Sequence, residues 1–318
     1  MKLRLVVGFL TLLIFTLWLV IVTVINTFQT QGVFTVVFMF FVLGSLRAFY
    51  RVLRDEVIGL KKIEYKFASY RVDFLMVFVG AIITYIVHVY LGAGPILASG
   101  FVGLMAGFFV KKHAVAIFCG SFVGMSSPLL LGLVPFILAS LFASLIFVLA
   151  KEIYNGYGGK LGTIAMSGAL ISAILLGEAL DGPIPFTMSE QLTIIAVSLV
   201  AAVITYVLSI RLKQGPVIAS ALVGVVAGAM LPLINDFGLT LAVAAYGASF
   251  VGMSNQKRLP DERYLVLAGI LFGLIYVFSA PYFTGAGGKL GTIAFASTLS
   301  VGGIKMIFDN IKVNQKSC

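Results

Sequence analysis

Long apolar runs separated by short polar stretches dominate the sequence from end to end. The first run, VVGFLTLLIFTLWLVIVTVI, begins at Val6 and ends before the polar stretch NTFQTQG. Runs of about 20 apolar residues have the length that an α-helix needs to cross a bilayer. They do not alternate with a period of two, as the strands of a transmembrane β-barrel do. The pattern predicts an all-α polytopic membrane protein whose first run is a retained span, because its apolar stretch is too long for a signal peptide.

Three stretches of sequence recur in the same order in the two halves of the chain. ITYIVHVYLGAGPILASGFVGLMAG, from Ile83, aligns with ITYVLSIRLKQGPVIASALVGVVAG, from Ile204. SFVGMS occurs at Ser121 and again at Ser249, and GGKLGTIA then follows in both halves. Three ordered matches with similar spacing indicate an internal duplication, and we name its halves repeat A and repeat B.

The duplication divides the chain into six parts, and each repeat contains five apolar segments. Several segments have only 14 to 17 residues, which is short for a full crossing. We therefore expect some of them to be re-entrant, entering the membrane and returning to the same side. The six parts are two N-terminal transmembrane helices (1–45), a basic cytoplasmic loop (46–71), repeat A (72–180), an external linker (181–190), repeat B (191–305) and a cytoplasmic tail (306–318). The ten segments are 73–91, 95–110, 114–127, 129–150 and 163–177 in A, and 191–210, 216–233, 238–254, 264–280 and 291–304 in B.

Composition agrees with a membrane environment and limits the partners. Of the 318 residues 60% are hydrophobic and 11% charged, whereas a soluble domain carries about 25% charged residues. The mean hydropathy is +1.11. The net charge of +10 does not indicate nucleic acid, because Lys and Arg fall mainly between apolar runs, where they orient spans. We expect the lipid bilayer and no nucleic acid as partners, and the cysteines Cys119 and Cys318 predict neither a disulfide scaffold nor a metal site.

Loop charges predict how the two repeats are oriented. The stretch 47–71 holds seven Lys and Arg against three Asp and Glu, whereas 161–210 has no Lys or Arg. The positive-inside rule places the first stretch in the cytoplasm and the linker after repeat A outside. Repeat A then crosses an odd number of times, and repeat B is inverted relative to it. We expect a multi-pass protein of the cell (inner) membrane with cytoplasmic N- and C-termini.

The duplicated GGKLGT motif, at 158–163 and 287–292, combines the features of an anion site. Its glycines let the backbone bend and approach a ligand. KLGT then opens a helix whose first N–H groups have no partner within the helix. Inversion would put equivalent surface positions on opposite sides of the membrane, whereas equivalent positions near the midplane approach each other. We therefore expect both motifs to enter the membrane and form one midplane site, as discontinuous segments do in transporters.

The lysines and the second duplicated motif have other interpretations that stay open. Each lysine could extend to the headgroups while the glycines form a close-packed turn, or Lys160 could pair with a carboxylate such as Glu152. The SFVGMS serines offer hydroxyls to a ligand, or serve packing instead. Small residues at GxxxG spacing are typical of helix packing, and they recur at Gly103, Gly107, Gly224 and Gly228.

Other chemistries are not indicated by the sequence. A P-loop needs Ser or Thr directly after its lysine, and leucine follows here; a dinucleotide fingerprint needs a preceding strand. His88 aligns with a serine and His113 is far away along the chain, so no metal site is predicted. Because clusters of His, Asp, Glu and Cys are scarce, we expect no enzyme activity and no cofactor. The sequence leaves open whether Na+ or H+ is a coupling ion.

In architecture alone, the predicted plan resembles two groups of transport proteins. One comprises the transporters for glutamate and hydroxycarboxylates, with inverted five-helix repeats and glycine-pair re-entrant loops. GGKLGT departs from their GGxG pattern by one residue, and this chain is shorter. The other is the urea-transporter plan, whose usual motifs are missing here. No residue roles are carried over from either group.

We expect a membrane transporter that moves a small, anionic solute by alternating access. The alternative is an anion or small-solute channel of the same architecture, and an integral-membrane enzyme or lipid flippase is favoured less. The sequence does not determine whether the chain forms a homo-oligomer. The candidate substrate-binding residues are Gly158, Gly159, Lys160, Gly162, Thr163, Gly287, Gly288, Lys289, Gly291, Thr292, Ser121, Ser126, Ser249 and Ser254.

Overall fold

A computed structural model describes residues 2–59, 67–177 and 186–316 of the chain. These ranges contain twelve α-helices and no β-strand. Parts of the predicted basic loop and external linker, and the last two residues with Cys318, lie outside the described residues. The helices are α1 (Lys2–Thr30), α2 (Gly32–Val52), α3 (Phe67–Tyr85), α4 (Pro95–Phe109), α5 (Ala114–Gly124), α6 (Leu133–Ala150), α7 (Lys160–Leu176), α8 (Met188–Tyr206), α9 (Pro216–Met230), α10 (Gly238–Gly252), α11 (Glu262–Ser279) and α12 (Lys289–Lys316).

Each of the ten predicted apolar segments is helical in the structure. Corresponding helices share details: α3 and α8 both continue as a π-helical turn, over Ile86–Tyr90 and Val207–Arg211, and α4 and α9 both begin at a proline. Proline suits a first helical position because the N–H it lacks would have no partner there. Two boundaries differ from the prediction. Helix α2 extends into the predicted basic loop, and α12 continues through most of the predicted tail.

Eight helical stretches of the described chain are long and apolar enough to cross a membrane. The remaining apolar helices include α4, α7 and α10, which have 15, 17 and 15 residues. At about 1.5 Å per residue these are shorter than the roughly 30 Å hydrocarbon core. The molecule is therefore a multi-pass, all-helical membrane protein. The eight stretches are Leu3–Thr30, Phe34–Ile58, Ser69–Tyr90, Leu133–Ala150, Met188–Arg211, Pro216–Leu233, Glu262–Ser279 and Lys289–Ile311.

Helix packing follows the same plan in the two repeats. Helix α3 packs against α5 and α6, and α8 packs against α10 and α11. The halves meet where α4 packs against α9 and α7 against α12, while α1 and α2 pack against the outside of this core. The predicted GxxxG glycines serve packing. A Cβ atom on Gly103 would lie 2.6 Å from the Phe118 ring, and one on Gly224 would lie 2.4 Å from the Tyr246 ring.

Candidate functional site

The two GGKLGT motifs meet at the centre of the molecule, although 129 residues separate them in the sequence. A Cβ atom built on Gly162 would lie 2.4 Å from the Gly291 Cα atom, and one on Gly291 would lie 2.4 Å from the Gly162 Cα atom. Such a distance leaves no space for any side chain at either position. The first turns of α7 and α12 therefore contact each other through their backbones.

The glycine before each lysine determines where these two helices begin. Gly159 has a φ of 83° and Gly288 a φ of 89°, in the left-handed region that glycine adopts without a steric penalty. The chain turns sharply there, so α7 begins at Lys160 and α12 at Lys289. The N-terminal end of an α-helix carries unpaired N–H groups and partial positive charge. Two such ends lie side by side at the contact between the motifs.

The glycine loops are the segments before α7 and α12, residues 156–159 and 285–288. Each glycine loop is held by the SFVGMS motif of the other repeat. The Gly158 N–H donates to Ser254 Oγ at 3.1 Å, and the Gly287 N–H donates to Ser126 Oγ at 3.1 Å. Ser126 and Ser254 are fully buried, so their hydroxyl groups act as fixed acceptors for the loops. A second reciprocal pair of backbone bonds joins Asn255 N to Gly156 O at 3.0 Å and Ser127 N to Gly285 O at 2.9 Å.

The other two predicted serines also make hydrogen bonds inside the protein. Ser121 Oγ lies 2.8 Å from Ser99 Oγ, and Ser249 Oγ lies 2.7 Å from Ser220 Oγ. All four hydroxyls are buried. These contacts join α5 to α4 and α10 to α9. Ser121 and Ser249 therefore serve helix packing.

Two cavities lie on either side of the motif contact. The first, the Lys160 cavity, has a volume of about 550 Å³, and the second, the Lys289 cavity, has a volume of about 390 Å³. Asp73 lines the former and His88 the latter. These two residues lie near opposite ends of the same continuous helical stretch, about 22 Å apart along its axis. The cavities therefore occupy opposite ends of the molecule.

Two phenylalanines belong to the walls of both cavities. Phe122 and Phe250 occupy equivalent positions of the two SFVGMS motifs, and their ring centroids lie 4.6 Å apart with an interplanar angle of 48°. Both side chains are buried, at 2% exposure. The ring pair and the glycine backbones beside it therefore separate the Lys160 cavity from the Lys289 cavity.

Each lysine donates to a carbonyl at the end of the preceding helix, but the two lysines line different cavities. Lys160 Nζ donates to Lys151 O and to Asn155 Oδ1, both at 2.9 Å. Lys289 Nζ donates to Ser279 O at 2.9 Å and to Ala280 O at 3.1 Å. Each ammonium thus caps the C-terminal end of the preceding helix, α6 or α11, where the carbonyl groups carry partial negative charge. An ammonium has three N–H donors, so one donor of each lysine is left for a ligand.

Lys160 neither extends to the headgroups nor forms a direct ion pair with Glu152 in the structure. Its side chain is only 8% exposed, which does not fit a lysine that extends to the headgroups. Glu152 lines the same cavity but forms no direct ion pair with Lys160, whose ammonium group donates to Lys151 O and Asn155 Oδ1 instead. Among the described residues, neither the Lys160 nor the Lys289 ammonium forms an ion pair.

A polar network connects Lys160 to the N-terminal helices. Asn155, which accepts from Lys160, also accepts a bond from Arg258 Nε through its backbone oxygen at 3.0 Å. Arg258 pairs with Glu56, which follows α2, and Glu56 also accepts from the Tyr154 N–H at 2.6 Å. The loop before α7 is therefore fixed by contacts with repeat B and with the extension of α2.

The remaining predicted residues lie at or behind the motif contact. Gly158 and Gly159 line the Lys160 cavity, and Gly287 and Gly288 line the Lys289 cavity. Thr163 and Thr292 are fully buried, and the Thr292 hydroxyl donates to Gly288 O at 3.3 Å.

Sequence reasoning missed two groups of cavity residues. One group is the ring pair Phe122 and Phe250, which the duplication of SFVGMS could have indicated. The other is a cluster of Asp73, His113 and Lys151 in the wall of the Lys160 cavity. It occurs in repeat A alone, and nothing in the spacing of its members indicates that they meet.

Neither metal ligation by the described residues nor comparison with known proteins gives further information about this site. Among the described residues, no group of three or more His, Cys, Asp or Glu side chains could hold a metal ion. Comparison of the chain with family models, with curated proteins and with solved structures finds no match. The site must therefore be interpreted from its own geometry.

Proposed function

We propose that this protein transports a small anion across the membrane by way of the Lys160 and Lys289 cavities. The observation that carries the proposal is the pair of lysines, one in each cavity, whose ammonium groups form no direct ion pair among the described residues. A charge away from water needs compensation, and charged residues within membrane spans usually mark a transport pathway. A helix C-terminus compensates a lysine only in part, with roughly half an elementary charge. At Lys160 the Glu152 carboxylate in the same cavity wall adds negative charge, and at Lys289 a bound anion supplies the rest.

The geometry of the motifs supports an anion rather than a neutral solute. In each cavity one ammonium N–H is unused, and the N-terminal end of α7 or α12 begins at that same lysine. Helix N-termini bind anions through their free N–H groups and partial positive charge. The glycines bring the backbone next to the cavity, so an anion can reach donors that a side chain would otherwise cover.

The proposed transport mechanism is alternating access between inverted repeats. Reciprocal hydrogen bonds between each glycine loop and the opposite SFVGMS motif support a two-fold relation between the halves. The positive-inside rule assigns the Lys160 cavity, whose wall includes Lys112 and Lys151, to the cytoplasmic side. In this scheme one helical bundle moves against the other, and the ring pair between the cavities closes one side while the other opens.

A channel is the second candidate, and the position of the ring pair favours it. Phe122 and Phe250 contact both cavities, so rotation of two side chains would open part of the barrier between the cavities without any movement of a bundle. Concentrative uptake that collapses when an ionophore is added supports the transporter. Single-channel currents that persist in symmetric salt support the channel.

Thermal unfolding of the purified protein tests the anion proposal. Sodium formate, nitrate, chloride and phosphate are compared with urea and glycerol, with ionic strength kept constant by a bulky organic salt. We expect at least one small anion to raise the unfolding midpoint in proportion to the logarithm of its concentration, since a ligand that binds the folded state stabilises it. Stabilisation by neutral solutes alone would contradict an anion site.

Cysteine labelling tests the arrangement of the cavities. Single cysteines are placed at position 160 or 289 in a chain whose Cys119 and Cys318 are serine. Membrane-impermeant reagents should reach position 160 from one side only and position 289 from the other. Labelling of both positions from the same side would contradict two cavities at opposite ends.

A further inference from the structure

A cluster of three ionisable side chains forms part of the Lys160 cavity wall. Asp73 Oδ2 lies 2.6 Å from Lys151 Nζ, and Asp73 Oδ1 lies 3.3 Å from His113 Nδ1. The Asp73 side chain is 8% exposed and that of His113 17%. The three residues come from α3, from the turn before α5 and from the end of α6, and all three line the cavity. The cluster therefore determines part of the charge that an anion in this cavity experiences.

The other charged groups around the cluster are one carboxylate, Glu152, and several cations. The Tyr70 hydroxyl on α3 donates to Glu152, and Arg4 on α1 donates to Tyr70 at 3.1 Å. Glu152, Lys112 and Lys160 complete the charged lining of the cavity. Helix α4 has no ionisable side chain, and α5 has only the buried Cys119. With Asp73 neutralised by Lys151, the charge of the cluster changes when His113 gains a proton.

Within the part of the chain that the structure describes, the Lys289 cavity has no such cluster. Its described lining contains His88 and Lys289 but no carboxylate. His88 Nδ1 contacts Gly124 O at 3.2 Å instead of an acid. The duplicated glycine and lysine motif can therefore form a cavity without the cluster, which indicates a separate role for Asp73, His113 and Lys151.

We propose that His113 is a proton-binding site linked to anion binding in the Lys160 cavity; this inference rests on the proposed function. Imidazole is the side chain that changes charge in the physiological pH range. The Asp73 carboxylate accepts a hydrogen bond from Nδ1 whether the ring is neutral or protonated, so the ring keeps its place. A proton then binds at Nε2 and adds one positive charge to the cavity wall. An anion in the cavity adds one negative charge, so each ligand strengthens the binding of the other by the same factor.

The expected size of the linkage follows from Coulomb's law. A cavity of about 550 Å³ is about 10 Å across, and two unit charges about 10 Å apart at an effective dielectric constant of about 20 interact strongly enough to change affinity roughly tenfold. The affinity for the anion should rise by about this factor between pH 8 and pH 5.5. Anion binding should take up protons from the solution.

Isothermal titration calorimetry of the full-length protein tests this inference. Formate and nitrate are titrated at pH 8, 6.5 and 5.5, in buffers that differ in ionisation enthalpy. We expect tighter binding at low pH and proton uptake on anion binding for the wild type. The chain has two histidines, and His88 lines the Lys289 cavity, so the comparison is made in a chain that carries His88→Gln. In that chain His113→Gln should lower the proton uptake and the pH dependence, and Lys257→Gln, at an exposed position, should keep them.

Separate outcomes distinguish the inference from the function on which it rests. If neither anion binds at any pH, the proposed function fails. If the wild type binds anions with no proton uptake, or if His113→Gln keeps the pH dependence, the linkage is wrong while the anion site stands. Asp73→Asn provides a second variant, because loss of a negative charge from the wall should tighten anion binding at pH 8. Unchanged or weaker binding by that variant would also overturn the inference. If His113→Gln does not fold, the proton uptake of the wild type decides whether proton binding and anion binding are linked.

Discussion

Gly162 and Gly291 lie backbone against backbone at the centre of the molecule, where two copies of one motif meet. A Cβ atom on either residue would lie 2.4 Å from the Cα atom of the other. This contact brings the N-terminal ends of α7 and α12 together, but it directs the two lysine side chains into different cavities. The motifs therefore share a contact, whereas their ammonium groups belong to two sites in series.

Replacement of either contact glycine should destabilise the fold. Gly162→Ala or Gly291→Ala forces a methyl group into backbone atoms, which cannot move away as a side chain can. We expect a loss of about 1–3 kcal/mol or more, the usual range for overpacking a core. The unfolding midpoint in detergent measures this. Gly132→Ala is the matched control, because a Cβ atom there meets nothing within 4 Å and should leave the midpoint unchanged.

Removal of the serine hydroxyls that hold the glycine loops should cost more than removal of an ordinary buried hydroxyl. Ser126→Ala and Ser254→Ala each leave a buried glycine N–H without its acceptor, which costs about 1–3 kcal/mol. Ser140→Ala is the control, since its hydroxyl donates to a carbonyl of its own helix at 2.8 Å. Equal stability of all three variants would show that the two loop bonds contribute little.

The lysine charges should matter for anion binding more than for folding. Lys160→Gln and Lys289→Gln keep an N–H donor for the helix C-terminus but remove the charge. We expect at least a tenfold loss of anion affinity, equivalent to about 1.4 kcal/mol, with a smaller change in the unfolding midpoint. Lys257→Gln, at an exposed position, should bind anions as the wild type does. Loss of folding with unchanged affinity in the surviving protein would assign the lysines a purely structural role.

The ring pair should control passage between the cavities. Phe250→Ala removes one of the two rings that separate them, so proteoliposomes containing this variant should leak formate faster and admit larger anions such as gluconate. Truncation of a buried phenylalanine costs about 3–5 kcal/mol, so the monodispersity of the variant is checked first. Phe109→Ala is the control, because the Phe109 side chain is 78% exposed on the outer surface. An unchanged leak in a folded Phe250→Ala protein would place the barrier elsewhere.

Helix positions and the pairing of equivalent elements were predictable from the sequence. Apolar runs indicate helices because, in a bilayer, every backbone polar group must form its hydrogen bond within the segment. The start of α9 at Pro216 is equally local, since proline itself prefers the first helical turn. The prediction was less accurate at the end of α12, where apolarity stops but helical hydrogen bonding continues to Lys316.

The chemistry of the cavities depended on the tertiary structure. The sequence alone determined that two glycine and lysine motifs exist, that each opens a helix and that serines recur beside them. Only the fold decided that Lys160 and Lys289 line separate cavities, because the direction of each side chain depends on the carbonyl groups at the end of the preceding helix. Only the fold brought Asp73 to His113 and Lys151, which lie 40 and 78 positions away along the chain. Contacts between residues on different helices leave no periodic pattern in the sequence, and for that physical reason this cluster could be found only in the folded protein.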